Sequence, residues 1–552
     1  MSPGFDMCRG VRQGCPISPL LFAAAVDVLL RTLQLRLPSS TIKAFADDIG
    51  AVVTDFPAHV STLERTFSEF EEMSGLDLNI KKTICIPLWE EGVTDVTSML
   101  RNGAWKDLTV ATHGTYLGFV QGPGKEGKSW SKPITKYLQR CTNWKSINQG
   151  LFFAATAHNT FAASVLSFVA QLEVPTAAVI RAEQEGLHRM TPGPGSWVKP
   201  RDLHFLKESF GQPMSFQSVV FQAKAAKLRV AAHHFLWRDS KRGSEIFPHL
   251  LPISRMHSKI CSLLGVRCNY PDRAIQWRNW YRNSYIFNLA DNRRELESDG
   301  IEFHAIIRQL QGEDEWNEDV RDRVKGQLQR TILAAIKHRA LPDPQVRLRD
   351  KIMRWYKVAN NYHPQSLPSY SLAGPPHNVA ARIDRCLKRL SSLVAPRVCG
   401  AVFKVLWNGW VTERRFQNRG PSSQCVLGCI DEGRIGAEDA IEHYSLCPSV
   451  HRVWNGKLRT HISHELVLST WLLSNYELDN DDMLISTAII MYTTFTAVNH
   501  YRHFGMTNRD TAIQFMNQAA NRAVRGHSKS ARFLNGLWNF RTRPTGIIFS
   551  DL

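Results

Sequence analysis

The chain has 552 residues, of which 68 are Lys or Arg and 50 are Asp or Glu, so its formal net charge is +18. This length exceeds a single hydrophobic core and predicts several domains, and a hydrophobic content of 43% excludes an intrinsically disordered protein. The excess of positive charge indicates a folded protein that meets polyanions such as nucleic acid. A basic protein with no such partner would have the same composition.

The eleven cysteines are odd in number and unevenly spread, which argues against a disulfide framework. The N-terminus lacks a basic and then apolar signal peptide, so we expect an intracellular protein, cytoplasmic and nuclear. Two uncharged stretches, 147–172 and 483–500, contain Asn, His and several Thr residues. We therefore predict buried helices there rather than membrane spans, and no membrane partner.

The first 88 residues alternate helical and strand-like patterns. Ser18-Pro19 has the form of an N-cap followed by proline at the first helical position, and it predicts an apolar helix over Leu20 to Leu35. Two apolar runs then flank Asp47-Asp48 and predict a β-hairpin with the acidic pair at its tip. The apolar spacing between Val60 and Met73 predicts an amphipathic helix, and Gly75 is placed to end it.

The rest of the chain is predicted to be largely helical. Two glycine- and proline-containing stretches, 121–124 and 191–196, are predicted to be flexible. Four prolines and few apolar residues predict a linker over 361–378. A region that contains cysteine and histidine follows, and then a mostly helical tail.

The adjacent carboxylates of Asp47 and Asp48 stand inside an otherwise apolar segment, where a charge is costly unless a partner neutralises it. A cation, a basic residue or a tight exposed turn would each explain them. Aspartates fixed at a hairpin tip suit a two-metal phosphoryl-transfer site, because Mg²⁺ prefers carboxylate oxygens. Aspartate also favours turns for its own backbone hydrogen bonds, so the pair alone does not decide.

Four motifs occur in order around this pair. They are Arg9-Gly-Val-Arg-Gln-Gly-Cys-Pro-Ile-Ser-Pro19, Phe45-Ala-Asp-Asp48, Ser74-Gly-Leu-Asp-Leu-Asn-Ile-Lys-Lys-Thr83 and Tyr116-Leu-Gly118. In this order and spacing they resemble the palm of the reverse transcriptases of non-LTR (LINE-type) retrotransposons. The resemblance implies an α+β fold. A partial polymerase palm, an antiparallel sheet with helices, would precede a helical thumb, a helical region and a small zinc-binding segment.

The resemblance also implies roles for six residues and a set of partners. Asp47 would bind catalytic Mg²⁺ with Asp48 supporting the site, and Lys82 would stabilise the departing pyrophosphate. The residues implied to contact the template, the incoming nucleotide or the primer end are Gln13, Gly14 and Phe45. The implied partners are an RNA template, a DNA primer and deoxynucleoside triphosphates, together with the element's own RNA in a ribonucleoprotein.

The chain departs from this family in one respect. These polymerases need a further metal-binding aspartate on a strand well upstream of Gln13, and Phe5-Asp6 lies too close to replace it. We also expect the fingers, which would grip template and nucleotide, to be missing. We therefore expect a C-terminal portion of a reverse transcriptase that is inactive alone. The alternatives are a non-catalytic RNA- or DNA-binding remnant with a structural zinc site, or a decayed product that never folds.

A second constellation lies downstream and consists of Cys425, Cys429, His443 and Cys447. Three thiolates and one imidazole supply the four ligands of a closed tetrahedral Zn²⁺ site, here spaced as C-x3-C and H-x3-C. The alternative to a zinc site is that the cysteines are reduced and scattered in the fold, and that the histidine makes its hydrogen bonds to other groups. The arrangement, followed by an apolar helix from Val450 to Trp454, resembles the zinc-binding segment that often follows the polymerase in these retrotransposons.

We expect six segments along the chain: 1–88 partial palm, 89–245 thumb-like, 246–360 basic and helical, 361–378 linker, 379–470 zinc-binding, and 471–552 helical tail. Before the cysteines, Arg414, Arg415 and Arg419 are compatible with phosphate contacts or with an ordinary solvated face. Aromatic and basic residues alternate over 273–282, as in single-strand binding surfaces, but their helical spacing favours a core.

Overall fold

The structure is a computed structural model. It describes residues 16–88, 91–145, 147, 150–195, 197–238, 303–315, 317–343, 346–351, 353, 376–416, 424–429, 438–463, 466–504 and 508–539. Contacts divide the chain into a first unit (1–133, 169–176 and 226–328) and a second unit (134–168, 177–225 and 329–552). Each unit takes in parts of several predicted segments, and the bounds of those segments stay a prediction.

The first unit alternates helices with short strands. Its N-terminal elements are α1 Ser18–Arg36, β1 Thr41–Phe45, β2 Asp48–Val52, α2 Phe56–Ser74, β3 Ile84–Cys85, α3 Gly92–Leu100, β4 Thr109–Val110, β5 Gly114–Tyr116 and β6 Phe119–Gln121. β1 pairs with β2 and β5 with β6 as antiparallel hairpins, and β3 pairs with β4 in parallel. Helices combined with small sheets agree with the predicted α+β class.

The ends of α1 and α2 follow from local chemistry. The N-cap of α1 is Ile17, without a side-chain cap, so Ser18 is the first helical residue and not the predicted cap. Proline fits in the first turn, because the N–H it lacks would have no partner there. α2 ends as predicted, at Gly75 in the left-handed conformation (φ +68°), whose N–H donates to the carbonyl of Glu71.

A hydrophobic core holds these elements together. It is built from the inner faces of α1, α2 and α3 and from β1, and its buried members are Leu29, Leu33, Leu37, Ile42, Leu63, Phe70, Val96, Leu100, Trp105 and Leu108. The outer face of α1 is different, since Leu20 and Leu21 are exposed. The core therefore fixes the base of the β1–β2 hairpin and leaves its tip in solvent.

The remaining described elements are helical. They are α4 Ser131–Lys145, α5 Gly150–Ala157, α6 Ala163–Val169, α7 Ala177–Met190, α8 Pro200–His204, α9 Leu206–Phe210 and α10 Val219–Arg238, followed by helices Phe303–Gln311, Glu318–Ala340, Pro376–Leu393, Pro396–Leu406, Ile441–Leu446, Pro448–Gly456, Val467–Trp471, Asp481–Phe504, Arg509–Ala523 and Ser528–Asn539. Single 3₁₀ turns occur at Pro123–Lys125, Lys128–Trp130, Arg414–Phe416 and Tyr476–Asp479, and a π-helical turn, His158–Ala162, joins α5 to α6.

Two helices are apolar and long enough to cross a membrane, as judged by length and composition alone among the described residues: Ser18–Arg36 and Gly150–Val169. The second overlaps the stretch that we judged too polar from sequence, and that judgement of its composition was wrong. One of its polar residues is bonded inside the protein, since Asn159 Nδ2 donates to the carbonyl of Ser215 at 2.9 Å. The stretch 483–500 lies in helix Asp481–Phe504, which is buried along much of its length as predicted.

Two other predictions meet the described residues, and parts of the rest lie outside them. The stretch 121–124 makes close backbone contacts: a Cβ on Gly122 would lie 2.5 Å from the carbonyl oxygen of Thr112, so glycine serves close packing there and not flexibility. The end of the predicted linker is wrong, because residues 376–378 begin helix Pro376–Leu393. The aromatic and basic segment 273–282 and linker residues 361–375 lie outside the described residues.

Candidate active-site hairpin and metal centre

The acidic pair lies at the tip of a β-hairpin with a two-residue turn, as predicted. Phe45 pairs with Asp48, so Ala46 and Asp47 form the turn. Ala46 has φ +51°, a conformation that two-residue hairpin turns need and that costs alanine strain. Asp47 and Asp48 are both exposed to solvent. The tip of the hairpin thus presents two adjacent carboxylates to solvent.

No ion pair to Asp47 or Asp48 is formed by the residues that the structure describes. Of the three explanations for the pair, the exposed turn is therefore the one that the geometry supplies. Among the described residues, neither aspartate belongs to a group of three or more metal-ligating side chains. The hairpin alone offers part of a cation site, and a two-metal centre needs more ligands than it provides.

Tyr116 of the Tyr-Leu-Gly motif lies against the same hairpin. A Cβ on Gly50 would be 3.2 Å from Tyr116 Cζ, so the tyrosine ring covers β2 where that strand has no side chain. Burial raises the pKa of Tyr116, and the charge of Asp48 adds to this rise. Two of the four sequence motifs are thus adjacent in space, although 68 residues separate Asp48 from Tyr116.

The segment that carries Lys82 is a compact turn after α2. Asn79 organises it: its carbonyl accepts the N–H groups of Lys82 and Thr83 at 3.0 Å each, and its side chain accepts the N–H of Lys82 at 3.2 Å. The asparagine of this motif therefore shapes the backbone, a role that our sequence reasoning did not assign. The side chain of Lys82 is exposed.

The three residues expected to contact template, nucleotide or primer have different outcomes. Gln13 and Gly14 lie outside the described residues. Phe45 is 66% exposed at the end of β1, so most of its surface makes no contact within the first unit. Its contact with a primer end stays a prediction.

The second constellation is gathered into one cluster in the second unit. Ligand atoms of Cys425, Cys429, His443 and Cys447 all lie within 4.8 Å of one another, and all four side chains are buried. Cys429 Sγ is 3.2 Å from Cys447 Sγ and 3.4 Å from His443 Nε2. A tetrahedral site with Zn–S bonds of about 2.3 Å has S–S edges of about 3.8 Å, so the donor set and its spacing fit zinc.

Backbone geometry prepares the cluster for a cation. Cys447 is the N-cap of helix Pro448–Gly456. Burial by itself would raise the pKa of Cys447, but hydrogen bonds from Cys425 and Cys429 and from the N–H groups of Val450 and Ser449 hold this pKa well below its ordinary value. These hydrogen bonds therefore favour the thiolate of Cys447, and thiolates are the form that binds metal.

A buried acid that we did not single out from the sequence braces this cluster. Asp439 is fully buried and accepts hydrogen bonds from Tyr444 Oη at 2.6 Å and from the N–H of Glu413 at 2.9 Å. Arg502 pairs with it from helix Asp481–Phe504. Gln424 and Glu438 form an isolated antiparallel bridge that joins the two ligand-bearing segments.

The arginines before the cluster are only partly described. Arg415 Nη2 donates to the carbonyl of Pro194 at 3.3 Å, which favours a structural role for this side chain. Arg419 and the side chain of Arg414 lie outside the described residues. A phosphate contact by these two residues stays a prediction.

Comparison with known proteins bears on the N-terminal part of the chain. Residues 3–120 match the family described as "Reverse transcriptase (RNA-dependent DNA polymerase)". The chain is 35% identical over 92 residues to the Retrovirus-related Pol polyprotein from type-1 retrotransposable element R2 of Popillia japonica, which covers 15% of this chain and 13% of that protein. No solved structure matches the chain.

Two further relatives are more distant. The type-2 element R2DM polyprotein of Drosophila melanogaster is 28% identical over 130 residues, 20% of this chain and 12% of the relative. The retrotransposable element SLACS 132 kDa protein of Trypanosoma brucei gambiense is 22% identical over 216 residues, 38% of this chain and 16% of the relative. The matched part of the chain thus spans less than a fifth of each relative's length. Over residues 3–120, the resemblance of this chain to the reverse transcriptases of non-LTR retrotransposons is confirmed.

Proposed function

We propose that the chain supplies part of the palm of an RNA-directed DNA polymerase from a LINE-type retrotransposon, followed by a structural zinc site. The observation that carries the first part is the β1–β2 hairpin, which presents Asp47 and Asp48 at an exposed two-residue turn. The family match over residues 3–120 and the Tyr116 ring against Gly50 support it. We further propose that the protein acts inside the cell, in the cytoplasm and nucleus.

The chemistry proposed for the complete enzyme is attack of a primer 3′-hydroxyl on the α-phosphorus of a deoxynucleoside triphosphate, with release of pyrophosphate. Mg²⁺ would be held in part by Asp47, with Asp48 beside it, and would supply charge neutralisation at the phosphates. The exposed ammonium of Lys82 would add positive charge near the departing pyrophosphate. Template, primer, deoxynucleotides and the element's own RNA are the proposed partners.

We propose that residues 1–552 alone do not extend a primer. The hairpin brings two carboxylates, and among the described residues no third metal ligand joins them. A two-metal centre that activates the attacking oxygen and stabilises the leaving one needs a further carboxylate, which a separate segment of polymerase would have to provide.

Primer extension tests both statements. Purified 1–552 would be assayed on an RNA template with Mg²⁺ or EDTA, beside Asp47→Ala and the control Asp77→Ala, an exposed aspartate of the same unit. We expect no extension from any of the three proteins. Extension that is lost with EDTA and with Asp47→Ala, but not with Asp77→Ala, would show that the site is complete and would overturn the proposed inactivity.

The Cys425, Cys429, His443 and Cys447 cluster supports the zinc proposal, because four buried ligands of the right type converge there. We expect one Zn²⁺ per chain by elemental analysis, reduced in Cys429→Ser and kept in Cys85→Ser, which lies outside the cluster in the first unit. The same metal content in Cys429→Ser and in the unchanged protein would refute the site.

A second candidate function is a non-catalytic RNA- or DNA-binding protein. The formal charge of +18 and the incomplete ligand set at the hairpin favour it. It would show RNA binding that weakens steeply as salt increases, because cationic side chains displace counterions from phosphates. Salt-sensitive binding that Asp47→Ala leaves unchanged, combined with no extension, would favour this function for the isolated chain.

A further inference from the structure

A cavity opens in the second unit, and none of its lining residues belongs to the candidate metal cluster. Its empty space is about 350 Å³, part of which is open to solvent, so the cavity is only partly enclosed. The lining residues that matter here are Trp144, Lys145, Met190, Trp197 and Lys404.

The charges around this cavity have one sign. Its charged lining residues are Lys145 and Lys404, and no carboxylate is among them. Lys404 Nζ lies over two aromatic rings, 5.7 Å from the ring centre of Trp197 and 5.1 Å from that of Phe495. In the described part of the chain, no side chain forms an ion pair with Lys404. Burial lowers the pKa of Lys404 to about 8, so the group is still largely charged at neutral pH.

An unpaired ammonium with little water around it is costly, and contacts with aromatic faces return only about 0.5–2 kcal/mol. A hydrogen-bonding anion would compensate this charge. An anion in the cavity would meet Lys404 and Lys145, of which Lys145 is exposed. The two tryptophans would shield the resulting ion pair from water, which strengthens it.

We propose that this cavity is an anion site that takes a single phosphate group, with Lys404 and the exposed Lys145 as its charge partners. A partly enclosed space favours a phosphate that is presented end-on, as in inorganic phosphate or the 5′-phosphate of a nucleic acid strand. A phosphate inside a strand carries substituents on both sides and fits such a space less well. The proposal does not depend on polymerase activity.

Acetylation of individual lysines by acetic anhydride, quantified by mass spectrometry, is the direct test on the unchanged protein. The probe is 10 mM inorganic phosphate compared with chloride at equal ionic strength. We expect phosphate to slow the acetylation of Lys404 at least fivefold and to leave Lys388, an exposed lysine of the same unit, unchanged. Equal rates for Lys404 in phosphate and in chloride would overturn the proposal.

Two oligonucleotide arms distinguish the source of the phosphate. A 5′-phosphorylated RNA that protects Lys404 better than the same RNA with a 5′-hydroxyl would support a strand-end phosphate. Protection by inorganic phosphate, with no difference between the two RNAs, would support a free anion. Protection by both RNAs without protection by inorganic phosphate would overturn the end-on site.

A variant gives an independent readout. Lys404→Met keeps a long apolar side chain and removes the charge, so it should not lose stability. We expect phosphate to raise the thermal midpoint of the unchanged protein and of the control Lys388→Met, but not that of Lys404→Met. An equal rise in all three proteins would mean a general salt effect and would overturn the proposal.

Discussion

Arg502 Nη2 donates to both carboxylate oxygens of Asp439, at 2.9 and 2.7 Å. This ion pair ties the segment that carries the candidate metal ligands to helix Asp481–Phe504. Tyr444, which follows the candidate ligand His443 directly, donates to the same carboxylate. The position of the ligand backbone therefore depends on a charge pair 63 residues apart in sequence.

Asp439→Asn should destabilise the second unit by about 3 kcal/mol, because it leaves the mostly buried Arg502 without a counter-charge. Urea unfolding of the metal-loaded protein would measure the loss. The matched control is Asp481→Asn, whose partner Arg389 and own side chain are both partly exposed, and a loss below about 1 kcal/mol is expected there. Equal losses in the two variants would show that the buried ion pair contributes no more to stability than the exposed one.

Gly428→Ala should weaken both the fold and metal binding. Gly428 has φ +76°, and a Cβ there would lie 2.6 Å from the backbone nitrogen of Arg509, so the chain would have to move. We expect a loss of about 2–4 kcal/mol and weaker binding of Co²⁺, followed by its visible absorption. Gly456→Ala, where nothing lies within 4 Å, should change neither quantity appreciably.

Glu183→Gln should have a pH-dependent effect. Glu183 accepts the N–H of Val219 at the start of α10, and burial raises its pKa from 4.5 to about 7. The folded protein therefore binds a proton more tightly than the unfolded chain, so Glu183 makes stability fall as pH rises from 4.5 to 7. The stability gained by the variant should grow over this window, to at most about 3 kcal/mol, and stay constant above pH 7.

Unfolding curves of both proteins from pH 4 to pH 8 would measure this difference. The comparison with the variant is needed because His158 and His204 oppose Glu183: burial lowers their pKa values to about 4, so they make stability rise over pH 4 to 6.5. A stability difference that does not change with pH would mean that Glu183 is ionised in the folded protein as readily as in the unfolded one.

Leu117→Asn should stabilise the β5–β6 hairpin by about 0.5–1 kcal/mol. Leu117 and Gly118 form its two-residue turn with φ +49° and +83°, and such a turn prefers Asn-Gly, since leucine is strained at positive φ. Urea unfolding of the first unit, followed by tryptophan fluorescence, would detect the gain. A loss of stability would indicate that the apolar contacts of Leu117 outweigh its backbone strain.

The features that could be predicted from sequence are those with a local signal. The hairpin around Asp47, the glycine that ends α2 and the Cys/His cluster each depend on residue types at short spacing, and the structure has all three. The prediction that 121–124 is flexible was wrong. Its glycines do not provide conformational freedom; they allow close backbone contact with Thr112.

The features that could not be predicted join distant parts of the chain. Asp439 looks from its sequence like any acid in a polar loop, and its structural role comes from its contacts with Glu413, Tyr444 and the distant Arg502. Lys125 and Glu173 form a fully buried ion pair at 2.6 Å in the first unit, again with no local pattern that relates them. Lys404 has an unremarkable position in an apolar helix, and its unusual surroundings come from Trp197 and Phe495.

The metal centre also sets which changes in length the chain can tolerate. Its two ligand pairs are separated by thirteen residues and are joined at the bridge between Gln424 and Glu438. The entropy lost on closing a loop grows with the logarithm of its length, at about 0.6 kcal/mol for each doubling. Insertions between Cys429 and Glu438 should therefore cost little, whereas one residue added within either pair would displace a ligand. Related chains can diverge in the length of this loop while both pair spacings stay fixed.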